Sequence, residues 1–275
     1  MKITAHVEIV GAGLPYEKAF PLLRKLGAQG VELVVKDTAP LNLASTDGDF
    51  LRAKRLAEDE GLVISGASNG YSWSLPMTSD SAKTRDAGAR ALRRVLEGTA
   101  LLGADSLLVV PGYARTEFYT PSEVIPVDTS LERAYSGICQ GAEYARSVGV
   151  SMNVEVVWSG MLRTPEAMRA FLERVHSPAA GFYMDTGNVY PEGDPLHWIR
   201  VMGPHIRRVH MKDFDPQQDG MSAFCPLGEG VVDFPAVVCA LREAGYGGWL
   251  GAEHHGNRTE EGGGHSLSFL RALVD

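Results

Sequence analysis

The sequence predicts a single parallel α/β barrel of eight βα units, a TIM barrel, spanning residues 1–275. Three observations predict it. Eight short, mostly apolar runs alternate with helical segments, and the runs are apolar on both faces, as buried parallel strands are. Glycine closes helix after helix, in LG, EG, LG, VG and AG pairs, so each helix stops abruptly before the next strand. No Pro/Gly/Ser-rich linker divides the 275 residues, and eight βα units in roughly 250 residues is the size of a closed barrel. An open doubly wound sheet would typically use fewer strands and a glycine-rich first turn; the GAG of Gly11–Gly13 falls short of GxGxxG.

The elements follow in order. Ile3–Val10 alternates loosely and reads as the first strand, and Gly11–Gly13 turns the chain. Pro15–Leu26 carries Ala19, Phe20, Leu22, Leu23 and Leu26 at helical spacing and stops at Gly27. Gly30–Val35 is a buried second strand with one glutamate, Glu32, inside it. Asp49–Glu60 is a polar helix, Leu62–Ser68 the third strand, and Ser81–Leu102 a long helix with Ala91, Val95, Leu96 and Thr99 on its apolar face. Asp105–Val110 is the fourth strand, Thr129–Ser147 a helix and Val150–Val157 the fifth strand. Thr164 caps a helix running to Val175, with Pro165 in its first turn. Gly181–Asp185 is the sixth strand, Asp194–Met202 a short helix and Ile206–Lys212 the seventh strand. Asp233–Ala244 is a helix, Gly248–Glu253 the eighth strand and His265–Val274 the last helix. The longest loops, Asn69–Asp80, Gly112–Asp128 and Phe214–Val232, follow strands three, four and seven at their carboxyl ends, where barrels place their chemistry.

Composition narrows the function. An apolar fraction of 44% fills a full-sized core, and 22% charged residues is ordinary for a globular chain. A formal charge of −8 argues against a nucleic-acid partner, which calls for a dense Lys/Arg face. The three cysteines, Cys139, Cys225 and Cys239, form no metal-spaced pair and read as reduced thiols. The start MKITAHVEIV is broken by His6 and Glu8, unlike a secretory signal, and no window approaches a membrane span. A cytoplasmic location away from membranes is the expectation.

Chemistry concentrates at the ends of strands five to eight. Glu155, Asp185, His210 and Glu253 sit there, and neighbouring strands can bring them to one mouth. Three carboxylates placed together repel without a cation. With one imidazole they form a hard, mostly oxygen donor set that suits one divalent ion: Mn²⁺, Mg²⁺ or Co²⁺, with Zn²⁺ also accommodated. Taken singly, each reads equally as a solvated loop residue or a cap. Asn153, two residues before Glu155, faces the same way.

Four stretches resemble the sugar phosphate isomerase/epimerase group of xylose isomerase-like TIM barrels: VEVV at Val154–Val157, MDTGN at Met184–Asn188, VHMKD at Val209–Asp213, and LGEGVVDF…LREAGYGGWLGAE from Leu227 to Glu253. Within that group the chain looks nearest to ketose 3-epimerases and L-ribulose- or L-xylulose-5-phosphate 3-epimerases. The resemblance implies that Glu155, Asp185, His210 and Glu253 hold a single metal, Mn²⁺ above others. It implies that Glu155 and Glu253 also serve as acid and base on opposite faces of a sugar or sugar phosphate, through an enediolate. It further implies association into homodimers or homotetramers. Tagatose-type members carry His where Asn188 stands and an Arg soon after the seventh-strand His; the segment Phe214–Phe224 has Gln217 and Gln218 and no Arg. That departure leaves the sugar open.

Lys212 shares the face of His210 and reads as a contact to substrate oxygens or phosphate, or as a rim ion pair. Asn188, Trp73, Glu32 and His254 are further candidates for substrate binding. Glu32 resembles a common glutamate of the family; on a buried strand it needs a partner and reads as support for the site or for the substrate. Trp73 suits the face of a sugar, and His254 and His255 read as well as solvated loop residues. Gly228 and Gly230 read either as a phosphate cradle or as a tight turn before Asp233. Three other functions compete: an inosose-type dehydratase on the same metal site, a non-catalytic metal- or sugar-binding barrel, and a DNA-repair endonuclease. The last needs a histidine-rich trinuclear zinc site, and no histidine lies between His6 and His176.

Overall fold

The computed structural model describes residues 1–116, 123–254 and 258–274. β1 (Lys2–His6) leads through a 3-10 turn to α1 (Tyr16–Lys25), β2 (Gly30–Val35) to α2 (Asp47–Asp59), β3 (Val63–Asn69) to α3 (Ala82–Leu101), and β4 (Ser106–Val109) to α4 (Val127–Ser147). β5 (Ser151–Glu155) leads to α5 (Pro165–Val175), and β6 (Ala180–Asp185) to the short α6 (Thr186–Val189) and then α7 (Pro195–Met202). After β7 (Ile206–Met211) comes a small antiparallel hairpin, β8 (Asp213–Phe214) with β9 (Phe224–Cys225), and then α8 (Phe234–Glu243). β10 (Trp249–Ala252) and α9 (Glu260–Val274) complete the chain. Eight parallel strands close in the order β1-β10-β7-β6-β5-β4-β3-β2, the TIM barrel that the alternating pattern predicts. Among the described residues no helix is long and apolar enough to cross a membrane.

Several boundaries differ from the sequence reading, each for a local reason. The first strand ends at His6 because His6 Nδ1 accepts the Glu8 N–H at 3.4 Å and caps the 3-10 turn Val7–Val10. α2 begins two residues early because Thr46 and Asp49 form a capping box. α9 begins at Glu260 rather than His265, through Gly262–Gly264, a run that helix propensity disfavours. Packing explains the exception: a Cβ at Gly263 would stand 2.8 Å from Val10 Cγ1, so only glycine lets the helix lie this close to the 3-10 turn after β1.

Alternation along the strands decides what fills the barrel. Toward the amino ends of the strands the filling is polar and largely hydrogen-bonded within itself. Arg208 Nε donates to Ser65 O at 3.1 Å and its guanidinium pairs with Asp105. Thr4 and Ser65 hydroxyls lie 2.7 Å apart, and Asn153 Nδ2 donates to Ser106 Oγ at 2.8 Å. The same faces, continued toward the carboxyl ends, present Glu155, Asp185, His210 and Lys212.

Asp213 fixes the loop that follows. Its carboxylate accepts the N–H groups of Gly228 (2.8 Å), Gly230 (2.9 Å), Val232 (3.1 Å) and Phe214 (2.9 Å). A Cβ at Gly230 would lie 2.4 Å from Asp213 Oδ1, which is why the turn needs glycine there. The amides of Gly228 and Gly230 therefore serve Asp213 and a tight turn, and not a phosphate cradle. Removing this acceptor orphans four backbone donors, two of them in buried bonds, at about 1–3 kcal/mol for each group left buried and unsatisfied. Asp213→Ala is expected to lower the unfolding free energy by at least about 2 kcal/mol in urea, with Asp213→Asn losing less; a change within about 0.5 kcal/mol of wild type, the size of an ordinary surface substitution, would refute the anchor.

Candidate metal centre

Each of the four strand-end residues arrives from a different element. Glu155 ends β5, Asp185 ends β6, His210 lies on β7, and Glu253 directly follows β10. The register sets Asp185 beside His210, and Gly251 of β10 against His210 on the other side. One donor atom from each of the four residues lies within 4.8 Å of all the others. His210 Nδ1 stands 3.0 Å from Glu253 Oε2, 3.7 Å from Glu155 Oε1 and 3.8 Å from Asp185 Oδ2. Ligands held about 2.0–2.2 Å from one ion lie roughly 3–4.4 Å apart, so these spacings fit a shared cation. Asp185 Oδ2 and His210 Nδ1 are buried and make no hydrogen bond, although Asp185 Oδ2 does ion-pair with Lys212. Burying such atoms toward one point is costly unless a charge answers them. These residues could hold a divalent ion.

Buried charge dominates the electrostatics. Burial pushes the Glu155 carboxyl up to about 7, and the neighbouring carboxylates of Asp185 and Glu253 add to the rise against His210 and Lys212. Burial likewise raises Asp185, opposed first by the Lys212 ammonium. Burial alone would lower His210, but the carboxylates of Glu32 and Glu253 outweigh it and hold its pKa well above the ordinary histidine value. Lys212 is fully buried, yet Asp185 and Glu253 keep it charged: Nζ lies 2.8 Å from Asp185 Oδ2 and 2.8 Å from Glu253 Oε2. Its aliphatic stem fits only because residue 187 is glycine, where a Cβ would meet Lys212 Cγ at 2.9 Å. Thr186 Oγ1 bonds both the N–H and the carbonyl of Lys212.

A cavity of about 280 Å³ opens above these groups, lined by Trp73, Glu155, Val157, Asn188, Lys212, Met221, Phe224 and Glu253. Three of the residues expected to meet a substrate, Lys212, Asn188 and Trp73, line it. Asn188 Nδ2 donates to Glu155 Oε1 at 3.2 Å, and Lys212 Nζ lies 3.4 Å from Asn188 Oδ1. The other two are not among its lining. Glu32 lies on the opposite side of the imidazole, 3.2 Å from His210 Nε2. His254 is buried with Nδ1 3.1 Å from Ser266 Oγ of α9, because the chain turns away from the mouth after Glu253. His255 falls outside the described residues. Sequence reasoning passed over Tyr183, Met221 and Phe224. Tyr183 had a signal, since it stands two residues before Asp185 and so shares its face. Met221 and Phe224 had none, because only the hairpin brings them over the mouth.

Comparison with known proteins agrees with this geometry. A family profile described as Xylose isomerase-like TIM barrel matches residues 20–273. An L-ribulose-5-phosphate 3-epimerase, UlaE, of Escherichia coli (strain SMS-3-5 / SECEC) is 25% identical over 249 residues, covering 85% of this chain and 83% of its own. Among solved structures, D-psicose 3-epimerase from Clostridium cellulolyticum H10, determined with D-tagatose, superposes with a TM-score of 0.83 at 16% identity over 100% of both chains. An L-ribulose 3-epimerase superposes with a TM-score of 0.81 at 20% identity, covering 99% of this chain and 94% of its own. The chain belongs to the xylose isomerase-like TIM barrel family.

Proposed function

We propose that the protein is a metal-dependent epimerase or isomerase of a ketose or ketose phosphate. One observation carries the reading: Glu155 and Glu253 arrive from β5 and β10, with β6 and β7 between them, so the two carboxylates flank Asp185 and His210 from opposite sides. Inverting a carbon next to a carbonyl needs a proton removed from one face and returned to the other, and a pair of flanking carboxylates does that. The relatives and structural neighbours bear epimerase names, which supports the same chemistry.

A divalent ion held by Glu155, Asp185, His210 and Glu253, with Mn²⁺ the best match to three hard oxygens and one nitrogen, would act as a Lewis acid on the ketose oxygens. The chain's own groups do the rest. Glu155 and Glu253 exchange the proton at the carbon beside the carbonyl, and the resulting enediolate carries its charge beside the Lys212 ammonium. Asn188 fixes the rotamer of Glu155 through its amide. Trp73 and Phe224 offer apolar faces to the C–H side of a sugar, and Phe224 also covers Lys212, whose Nζ lies 4.8 Å from the ring centroid. A cytoplasmic location fits the reduced cysteines.

Two experiments test this. Mn²⁺ or Co²⁺ at a hundred times its dissociation constant should stabilise the wild-type chain by about 2.7 kcal/mol, read as a rise in melting temperature reversed by chelator, and Asp185→Ala should abolish the rise. With a panel of ketoses and ketose phosphates in D₂O, the metal-loaded protein should incorporate deuterium at C3. Glu155→Gln and Glu253→Gln should each lose about 10²–10⁴-fold in that exchange while remaining folded. Full exchange in either variant would refute the acid–base assignment, and loss of water in place of exchange would mark a dehydratase.

A further inference from the structure

The histidine at the centre of the site is held from below by groups that the proposed reaction does not use. His210 Nδ1 faces Glu155, Asp185 and Glu253, so Nε2 points away from them, toward the barrel interior, where it meets Glu32 Oε2 at 3.2 Å. Glu32 comes from β2, which is not a neighbour of β7 in the barrel; its side chain reaches across the interior. The same oxygen accepts the hydroxyl hydrogen of Tyr183 from β6. Glu32, Tyr183 and His210 are 1%, 2% and 1% exposed, so no solvent competes for these bonds. The ring itself is boxed in: the Tyr183 ring lies 4.5 Å away, the His6 ring meets it edge-on at 6.4 Å, and a Cβ at Gly251 would come within 3.1 Å of Cδ2.

A buried carboxylate is expensive, and one with a single partnered oxygen more so; Glu32 Oε1 makes no hydrogen bond. The interior would be cheaper with an apolar residue on β2, as at every other position of GVELVV. What the carboxylate provides is an acceptor for the histidine's far N–H. That bond fixes the tautomer with Nδ1 available as donor, locks the ring plane, and makes the imidazole a stronger base. We propose that Glu32 is a positioning residue, with Tyr183 orienting its carboxylate, and that together they set the nitrogen-donor strength of His210 and thereby which divalent ion the site prefers. This rests on the metal-site reading above and, of the two roles the sequence leaves open for Glu32, favours support of the centre over substrate contact.

The test separates donor strength from simple loosening. Glu32→Gln keeps the shape and the acceptor oxygen and removes the charge. Binding of Co²⁺ alone and of Mg²⁺ alone is measured by calorimetry on the full chain, with near-UV circular dichroism to verify packing. Co²⁺ draws more of its affinity from nitrogen than Mg²⁺ does. Glu32→Gln should raise the Co²⁺ dissociation constant about 10–100-fold and the Mg²⁺ constant by less than about threefold. Tyr183→Phe, which leaves the charge in place, should shift the same ratio in the same direction by a smaller factor. Equal weakening of both ions, or an unchanged Co²⁺ constant, overturns the proposal while leaving the metal site intact. A wild-type chain that binds neither ion overturns the metal site and this inference with it.

Discussion

The structure turns on the cost of burying carboxylates together. Glu32, Glu155, Asp185 and Glu253 surround one imidazole inside the mouth of the barrel, and two cationic side chains, His210 and Lys212, answer them. Like charges held this close cannot all stay ionised without compensation. The fold supplies compensation by position. Lys212 directly follows β7, two residues after His210, and lands between Asp185 and Glu253, while burial first, and then the neighbouring carboxylates, raise the proton affinity of Glu155. A site arranged in this way is poised to take up a cation, and relaxing the repulsion would contribute to the affinity.

Most of this architecture was legible in the sequence because its signals are local. Strand ends carrying Glu155, Asp185, His210 and Glu253 are visible as polar residues closing apolar runs, and period-two alternation places Lys212 with His210. What sequence could not show is reach. Glu32 reads in sequence as support for the site or for the substrate, because its strand number says nothing about how far across the barrel a side chain extends; it meets His210 Nε2 from the other side. His254 reads in sequence as a ligand-type neighbour of Glu253, but its imidazole is buried against Ser266 of α9, a contact between segments that no local pattern announces. The wall formed by Met221 and Phe224 depends on a two-residue ladder too short to leave a periodic signal.

The barrel interior is divided by function along its axis. Toward the amino ends, Arg208, Thr4, Ser65, Asn153 and Ser106 form a hydrogen-bonded polar layer, and Arg208 reaches out to the exposed Asp105. Above them the triad of Tyr183, Glu32 and His210 links that polar filling to the mouth. A barrel filled entirely with apolar side chains would pack well but could not hold a histidine in one orientation. Here hydrogen bonds fill the lower part of the barrel, and the candidate metal-binding residues sit at or just past the ends of the strands above it.

Asp213 separates two tasks that lie next to each other in the chain. By gathering the amides on both sides of the excursion from 215 to 227, it fastens that loop at its two ends, directly after Lys212. Exchanging the portion that carries Met221 and Phe224 would reshape the chamber above Glu155, Lys212 and Glu253 while leaving the strand ends that carry Glu155, Asp185, His210 and Glu253 in place. For anyone remodelling the chamber, the natural cut points are the two sides of that knot.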